Sequence, residues 1–370
     1  MDTSNGSNSL YQPAQPSRPV PNSPLIPSGS VEQQQLSRPM FDPNVNRISD
    51  HQRPDLPSIE NRSLPSQVPN FNFQEIDIVK LLGCGTYGNC YLVKAPRLGK
   101  VVLKQSKVPN FGKKSKLVVM EKRELACSRM LNHHPNIVAF YGEVYEGSPS
   151  NIVGFLMDYL PGGNLTSYME AHHQNPQVHT ISLEFQNSWA YQIALGLAYI
   201  HSRNIMHRDL NPNNVLLGNP CYIAKISDFG FSREYATDQT SFTAEVGTGV
   251  YRAPETLLEY NYNNAVDVWS FAMTLYYIFA KQKPFGDAFG RMSIFSIRSH
   301  LSGHLGSDPV RPALGLGIID NLIGRCWETS PANRPTMDEV LLELESTVPG
   351  NDPTTFVKKY PTVEDMSNEH

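Results

Sequence analysis

Two short motifs between residues 207 and 230 constrain this chain more than any other feature of it. His207-Arg208-Asp209 is followed five residues later by Asn214, and Asp228-Phe229-Gly230 begins fourteen residues after that. A carboxylate such as that of Asp209 accepts a proton from a hydroxyl nucleophile, while Asn214 and Asp228 offer hard oxygen ligands of the kind that Mg²⁺ takes. Each motif alone is frequent by chance, but the two together, in this order and at this separation, are not a chance arrangement.

A glycine-rich segment and a lysine nearer the N-terminus are suited to binding phosphate. Gly83, Gly85 and Gly88 form a G-x-G-x-x-G pattern, which in dinucleotide-binding folds opens a helix after a parallel strand. Here strand-like residues flank the pattern on both sides, which favours a hairpin whose backbone N–H groups cover phosphates. Lys104 follows Val101-Val102-Leu103 and so matches the V-A-I-K pattern, in which the lysine pairs with the α and β phosphates.

These residues resemble the eukaryotic protein kinases, and the resemblance covers about residues 74–347. It implies that Asp209 is the catalytic base and that Asn214 and Asp228 bind the metal ion. It also implies ATP and Mg²⁺ as cofactors, with Mn²⁺ as the alternative cation, and proteins as substrates.

The same resemblance implies a lysine anchor and a nucleotide pocket. Glu124, in a helix predicted over 117–131, stands where the family keeps the glutamate that anchors Lys104; Glu121, one helical turn away, is the alternative. The residues implied in ATP binding are Leu82, Gly83, Gly85, Gly88, Cys90, Val102, Lys104, Met157, Asp158, Leu160 and Leu216.

Three residues depart from the family pattern near this pocket. Cys90 and Val102 replace the valine and the alanine that usually lie over the adenine, which changes the shape of the pocket without removing its chemistry. Ser128 stands where a packed apolar residue is usual. A hydroxyl in that apolar position would loosen the active position of the helix and lower basal activity.

The sequence distinguishes less sharply between serine/threonine and tyrosine as the phosphorylated residue. Serine/threonine kinases usually carry lysine two residues after the catalytic aspartate, and tyrosine kinases carry alanine there or arginine two residues later; this chain has Asn211 and Asn213. Thr248 favours serine or threonine acceptors, and the segments 324–327 and 334–337 resemble the tyrosine-kinase-like group. We therefore expect a serine/threonine kinase of that group in intracellular signalling, with dual specificity left open. The alternative is a catalytically weak scaffold that acts through its Pro-rich tail and its kinase surface.

The pattern of apolar residues predicts an α+β fold with two lobes. Short strand-like runs dominate residues 74–160, interrupted by one predicted helix, whereas helical periodicity dominates residues 161–347. We expect a small antiparallel-sheet lobe with a hinge, followed by a larger and mainly helical lobe.

Composition separates this domain from two tails. Residues 1–70 are dense in Pro, Ser, Asn and Gln, which predicts disorder, and residues 348–370 resemble a flexible polar tail. Within residues 13–27 the motifs P-x-x-P-x-R and R-x-x-P-x-x-P fit a polyproline-reading partner, although any Pro-rich tail yields such matches. A net charge of −4 and five dispersed cysteines favour a cytoplasmic protein that binds no nucleic acid and does not insert into membranes.

The resemblance also implies regulation through the segment between the two ends of the site. An arginine before the catalytic base, here Arg208, often pairs with a phosphate added by an upstream kinase. The candidate acceptors are Thr243, Thr240 and Ser241, with Thr243 preferred because it lies five residues before Thr248. A hydroxyl-rich solvated loop explains the composition equally well.

The resemblance also implies a structural ion pair. Arg334 matches the family arginine that pairs with the glutamate of Ala253-Pro254-Glu255.

Overall fold

An antiparallel sheet makes up most of the small lobe in the computed structural model of the protein. The structure describes residues 69–84, 88–107, 116–132, 134–174, 181–219, 221–234, 249–258, 262–285 and 313–348. Within them the strands of this sheet are β1 Asn70–Asn72, β2 Asp77–Cys84, β3 Gly88–Ala95, β4 Gly99–Ser106, β5 Phe140–Tyr145 and β6 Ile152–Met157. Their order is β1-β5-β6-β4-β3-β2, with every pair antiparallel except β1 and β5.

The core of the small lobe is formed by one face of four neighbouring strands. Val93 and Ala95 on β3, and Val101 and Leu103 on β4, are buried in one apolar cluster, because side chains two residues apart in a strand point the same way. Val144 on β5 and Leu156 on β6 complete the cluster. Helix α1, Lys116–Met130, connects β4 to β5. The chain enters the sheet at Asn70, ahead of the domain start predicted at residue 74.

The large lobe is mainly helical. Its described helices are α2 Leu165–Gln174, α3 Leu183–Ser202, α4 Glu255–Leu258, α5 Ala265–Ala280, α6 Ile318–Cys326 and α7 Met337–Leu344. Its short strands are β7 Gly163–Asn164, β8 Ile205–Met206, β9 Val215–Leu217, β10 Ala224–Ile226 and β11 Arg233–Glu234. α3 packs against α7 and α5 packs against α6. Almost every residue of α5 is buried, which explains why its sequence is apolar all round.

A short backbone connection joins the lobes near the predicted site. Ile137 of the small lobe forms a parallel bridge with Ile226 of β10, supported by a hydrogen bond from the Val138 N–H to the Ile226 oxygen at 2.9 Å. This bridge lies two residues before Asp228 in the sequence. The predicted α+β architecture with two lobes is confirmed. Among the described helices, none has both the length and the apolar character needed to cross a bilayer.

Several expectations fall outside the described residues. They are the tails as far as residue 68 and from residue 349 onward, the polyproline motifs within 13–27, Gly85, and the hydroxyls of Thr240, Ser241, Thr243 and Thr248.

Candidate active site

A lysine of β4 and a glutamate of α1 form an ion pair beside the sheet. Leu103 is buried in the core, so the next side chain, that of Lys104, emerges on the opposite face of the strand. There its Nζ atom donates a hydrogen bond to Oε1 of Glu124, and both side chains are largely buried. A second ion pair, between Arg129 of α1 and Glu143 of β5, braces the same helix. Together these pairs fix α1 against the sheet.

The carboxylate of Asp228 also lies close to Lys104. Its Oδ1 atom is 3.6 Å from Nζ of Lys104 and accepts a hydrogen bond from the Gly230 N–H at 3.4 Å. Burial acts to raise the pKa of Asp228, but Lys104 and the Gly230 N–H outweigh it, and the pKa falls below its ordinary value. Burial likewise acts to lower the pKa of Lys104, but Asp228 and Glu124 raise it above its ordinary value. Both groups are therefore charged at neutral pH.

The predicted base, Asp209, is held by an asparagine and faces an arginine. Nδ2 of Asn214 donates to the backbone oxygen of Asp209 at 2.8 Å and to its Oδ2 atom at 3.0 Å. The Oδ1 atom lies 3.8 Å from Nη2 of Arg252. Burial raises the pKa of Asp209, and the opposing effects of Arg252 and Asn214 do not cancel this rise. A carboxylate with a raised pKa accepts a proton more readily, as suits a general base.

The backbone ahead of Asp209 is anchored by a buried carboxylate of α5. Asp267 accepts hydrogen bonds from the N–H groups of His207 at 2.8 Å and Arg208 at 2.7 Å. Its Oδ2 atom also lies 2.9 Å from Nε2 of His201. Arg208 has φ +69°, a left-handed conformation that costs a non-glycine residue about 1–2 kcal/mol. The bonds to Asp267 offset that cost and thereby set the direction in which the chain leaves towards the base.

Hydrogen bonds also join the two motifs to each other. Ser227, which precedes Asp228, donates from its N–H at 2.9 Å and from its hydroxyl at 3.0 Å to the backbone oxygen of Asn214. The carbonyl oxygen of Ser227 accepts from Nε2 of His207 at 3.0 Å. The His207 ring packs edge-on against Phe229, with 5.4 Å between ring centroids. The two motifs are thus one bonded unit.

Comparison with known proteins agrees with this geometry. A model of the protein kinase domain matches residues 76–343. The chain belongs to the protein kinase family. It is 32% identical over 286 residues to "Mitogen-activated protein kinase kinase kinase 7" of Homo sapiens, which covers 75% of this chain and 43% of that protein. It is 30% identical over 284 residues to "Serine/threonine-protein kinase Nek5" of Homo sapiens, covering 74% of this chain and 37% of that protein.

A plant relative is similar over a comparable part of the kinase. "Serine/threonine-protein kinase VIK" of Arabidopsis thaliana is 31% identical over 301 residues, covering 77% of this chain and 65% of that protein. The chain spans less than half the length of the two human relatives.

The side chains of this kinase fit a divalent cation held partly by the nucleotide. Because Nδ2 of Asn214 is committed to Asp209, its amide oxygen is the atom suited to ligate a metal. Lys104 and Gly230 both contact Oδ1 of Asp228, which directs Oδ2 to the same task. Such hard oxygen ligands suit Mg²⁺ or Mn²⁺. Within the described residues no group of three or more His, Cys, Asp or Glu side chains is placed so that it could hold a metal ion.

Most of the residues predicted to surround the nucleotide lie on neighbouring strands of the small-lobe sheet. Gly83 of β2 and Lys104 of β4 both pair with Cys90 of β3, and Val102 of β4 pairs with Met157 at the end of β6. Leu82 is on β2 next to Gly83, Gly88 begins β3, Leu216 is on β9, and Leu160 follows β6. A Cβ atom added at Gly88 would lie 2.6 Å from the Gln105 oxygen. Glycine at this position therefore lets β3 approach β4 closely beside Lys104.

The hinge carries an acidic residue whose side chain ties the lobes together. Oδ2 of Asp158 accepts from the Ala139 N–H at 3.0 Å and from Nζ of Lys225 on β10 at 2.6 Å. Oδ1 accepts from the Tyr141 hydroxyl at 2.5 Å. Because this carboxylate is engaged by other protein groups, the hinge would recognise adenine through its backbone. Sequence reasoning had placed Asp158 in the hinge but had not found the lysine that binds it.

The guanidinium of Arg208 is held by an aromatic side chain. It donates to the Tyr262 hydroxyl, lies 5.1 Å from the centroid of that ring, and reaches the Phe231 oxygen at 3.5 Å. These contacts place Arg208 beside the start of the segment in which the phosphate acceptors were predicted.

The pair expected at the end of the domain is present. Nη1 and Nη2 of Arg334 donate to the two carboxylate oxygens of Glu255 at 2.5 and 2.9 Å, and Nη1 also donates to the Ala265 oxygen at 2.8 Å. Both side chains are buried, so each charge needs the other. This bidentate pair fixes the chain that follows Arg252 and Ala253.

Proposed function

We propose that this protein is an ATP- and Mg²⁺-dependent kinase that transfers the γ-phosphate to serine or threonine hydroxyls of protein substrates. The observation that carries the proposal is the set of contacts around Lys104, which pairs with Glu124 and lies 3.6 Å from Asp228. A lysine held between two carboxylates keeps its charge and is positioned to bind phosphate. The names of the relatives support serine or threonine as the acceptor.

The remaining groups have distinct tasks in this reaction. Phosphoryl transfer needs little covalent chemistry from the protein, which must place charge and orient the nucleophile. Asp209 would accept the proton of the substrate hydroxyl through Oδ1, while Asn214 keeps Oδ2 in place. When bound, Mg²⁺ would neutralise charge on the phosphates, and Asn214 and Asp228 are the side chains that would hold it.

Membership of the tyrosine-kinase-like group is part of the same proposal. It is supported by the segments 324–327 and 334–337 and by the similarity to a mitogen-activated protein kinase kinase kinase. Control by phosphate at Thr243 is likewise proposed, on the ground that Arg208 lies beside Phe231 at the start of that segment.

The test is phosphate incorporation from labelled ATP with Mg²⁺ into a general protein substrate, with the modified sites mapped by mass spectrometry. We expect Asp209→Asn to lower incorporation by about 10²- to 10⁴-fold, because the general base is lost. Asp338→Asn, which removes an exposed carboxylate at the start of α7, is the matched control and should behave as wild type.

Each outcome of this assay has a definite meaning. Label on serine and threonine that disappears in Asp209→Asn supports the proposal, and label on tyrosine as well would extend it to dual specificity. Label at Thr243 supports control through that segment, whereas full activity with Thr240, Ser241 and Thr243 all unmodified contradicts it. Equal incorporation by both proteins points to a contaminating kinase, and none after treatment with an activating kinase favours the scaffold.

A further inference from the structure

The position two residues after the base carries no charge in this chain. Asn211 is almost fully buried, and its side chain bonds only to backbone atoms in the described contacts. Its Nδ2 atom donates to the Asp209 oxygen at 2.8 Å, and its Oδ1 atom accepts from the Asn213 N–H at 3.0 Å. Asn211 therefore braces the loop and brings no positive charge to the carboxylate of Asp209.

A cation reaches that carboxylate from a different part of the chain. Nη2 of Arg252 lies 3.8 Å from Oδ1 of Asp209, and the Arg252 side chain is only 13% exposed. The guanidinium also lies 5.7 Å from the centroid of the Phe231 ring. Among the described residues, Arg252 makes the ion pair with Asp209. Lys104, by contrast, is engaged by Glu124 and Asp228.

The backbone that carries Arg252 is held on both sides. The Arg252 N–H donates to the Gly249 oxygen at 3.3 Å, and its neighbours Tyr251 and Ala253 are buried. Three residues after Arg252, Glu255 is fixed by its bidentate bonds to Arg334. Because the backbone on both sides of Arg252 is fixed, its planar guanidinium can be held beside Asp209 with a small further loss of conformational entropy.

We propose that Arg252 is a positioning residue that supplies to Asp209, from the turn ahead of Ala253-Pro254-Glu255, the positive charge that Asn211 does not provide. This inference rests on the proposed function. The separation of 3.8 Å between Nη2 and Oδ1 exceeds a hydrogen bond. The arginine thus orients and stabilises the ionised carboxylate while leaving Oδ1 available to the substrate hydroxyl. Asn214 holds the other oxygen, so the carboxylate is oriented from both sides.

The test compares three variants in the phosphate-transfer assay: Arg252→Gln, Arg252→Lys, and Arg252→Gln combined with Asn211→Lys. Arg252→Gln keeps the length and polarity of the side chain and removes its charge, and we expect kcat to fall by about 10- to 100-fold. The KM for ATP should stay within about threefold of wild type, because the nucleotide contacts lie elsewhere. Arg252→Lys should recover part of the loss, and the double variant should recover about tenfold relative to Arg252→Gln, because each restores a positive charge near Asp209.

Arg325→Gln is the matched control. Arg325 is 44% exposed and pairs with Glu343 on the surface, so its loss should leave kcat unchanged. A kcat of Arg252→Gln within about threefold of wild type overturns the positioning role of Arg252 but leaves the proposed kinase function intact. A loss that neither lysine variant recovers, accompanied by a lower melting temperature and a raised KM, shows a merely structural residue and also overturns it. No transfer by wild type under activating conditions would instead overturn the proposed function and this inference with it.

Discussion

The buried carboxylate of Asp267 shows how one side chain fixes the geometry of the site from outside it. It lies 58 residues after Asp209 in the sequence, yet its bonds to the N–H groups of His207 and Arg208 determine the course of the chain into the base. Burial acts to raise the pKa of Asp267, but His201 and the backbone donors outweigh it, and the pKa is lowered. The charge is therefore stabilised by the contacts that position the loop.

Replacing Asp267 by asparagine should both destabilise the fold and impair phosphate transfer. An amide offers one acceptor oxygen, and its NH₂ group would face a backbone N–H, so we expect a loss of about 3 kcal/mol in the free energy of unfolding. Urea unfolding at pH 7 measures this loss. Because the folded-state pKa of Asp267 is lowered, the advantage of wild type is complete above the unfolded pKa of about 3.9 and is lost as the pH falls through the folded pKa.

Thr274→Val is the control for Asp267→Asn, since that buried hydroxyl donates only to the Ser270 oxygen of its own helix in the described contacts. It should change stability far less. An Asp267→Asn variant within about 0.5 kcal/mol of wild type at pH 7 would contradict the importance given to these bonds.

At this scale the sequence motifs predicted more of the site than periodicity could have. Lys104, Asp209, Asn214 and Asp228 were named from motifs that resemble those of protein kinases, and the structure brings Lys104 close to Asp228 and Asn214 into contact with Asp209. Arg252 had no such signal beyond its place before Ala253-Pro254-Glu255. Its approach to Asp209 depends on how distant segments pack, which no local pattern encodes.

Strands and helices were predictable where a pattern was long enough to repeat. The helix predicted over 117–131 is found at Lys116–Met130. α3, Leu183–Ser202, lies within the region of predicted helical periodicity, because its buried apolar residues recur at helical spacing. β1 was not predicted, since three residues of sequence Asn-Phe-Asn carry almost no periodic signal. It exists because it pairs with β5, a tertiary contact. α6 was also missed, although Ile319, Leu322, Ile323 and Cys326 form its buried stripe.

The hinge carboxylate connects β5 with β10, so its partners can be tested as a unit. Asp158 receives Tyr141 of β5, the Ala139 N–H before β5 and Lys225 of β10. Lys225→Met keeps the length of the side chain but removes the charge-assisted bond, which we expect to lower the free energy of unfolding by about 1–3 kcal/mol. The KM for ATP should rise more than kcat falls, since under the proposed function the hinge would bind adenine and not the transferred phosphate. Steady-state kinetics at varied ATP measures both.

Two further variants sharpen this comparison. Tyr141→Phe removes another donor to Asp158 and should shift the KM in the same direction. Lys94→Met removes an exposed lysine of β3 that has no side-chain partner among the described contacts, and it should leave the KM unchanged. If kcat falls in Lys225→Met while the KM for ATP is unaltered, the carboxylate does not act through the hinge.

For the molecule as a whole, β1 connects the start of the small lobe to Lys104 through a series of contacts. The Pro69 oxygen accepts from the Glu143 N–H at 3.1 Å, and Phe71 and Phe73 pack on the core of the small lobe. Glu143 in turn pairs with Arg129 of α1, the helix that carries Glu124. A chain of contacts thus runs from β1 through β5 and α1 to Lys104.

Two truncations separate the tail from this coupling. Removing residues 1–68 leaves every described contact of the sheet, so the melting temperature and kcat should remain close to those of the full chain. Removing residues 1–75 also takes away β1 and both phenylalanines, and we expect a loss of about 3–5 kcal/mol in the free energy of unfolding.

Gly142→Ala disrupts the same contact between β1 and β5 without shortening the chain. The added Cβ would lie 2.2 Å from the Pro69 oxygen and 2.7 Å from Cε2 of Phe71, so β1 must move away from β5. Because β5 braces α1 through Glu143, this variant and the longer truncation should both lower kcat as well as stability, whereas the shorter truncation should lower neither. Thermal melting and phosphate transfer, measured on the two truncations and on Gly142→Ala, test this coupling. A longer truncation as stable and active as the shorter one would mean that β1 takes no part in holding the lysine, and that the small lobe begins at β2.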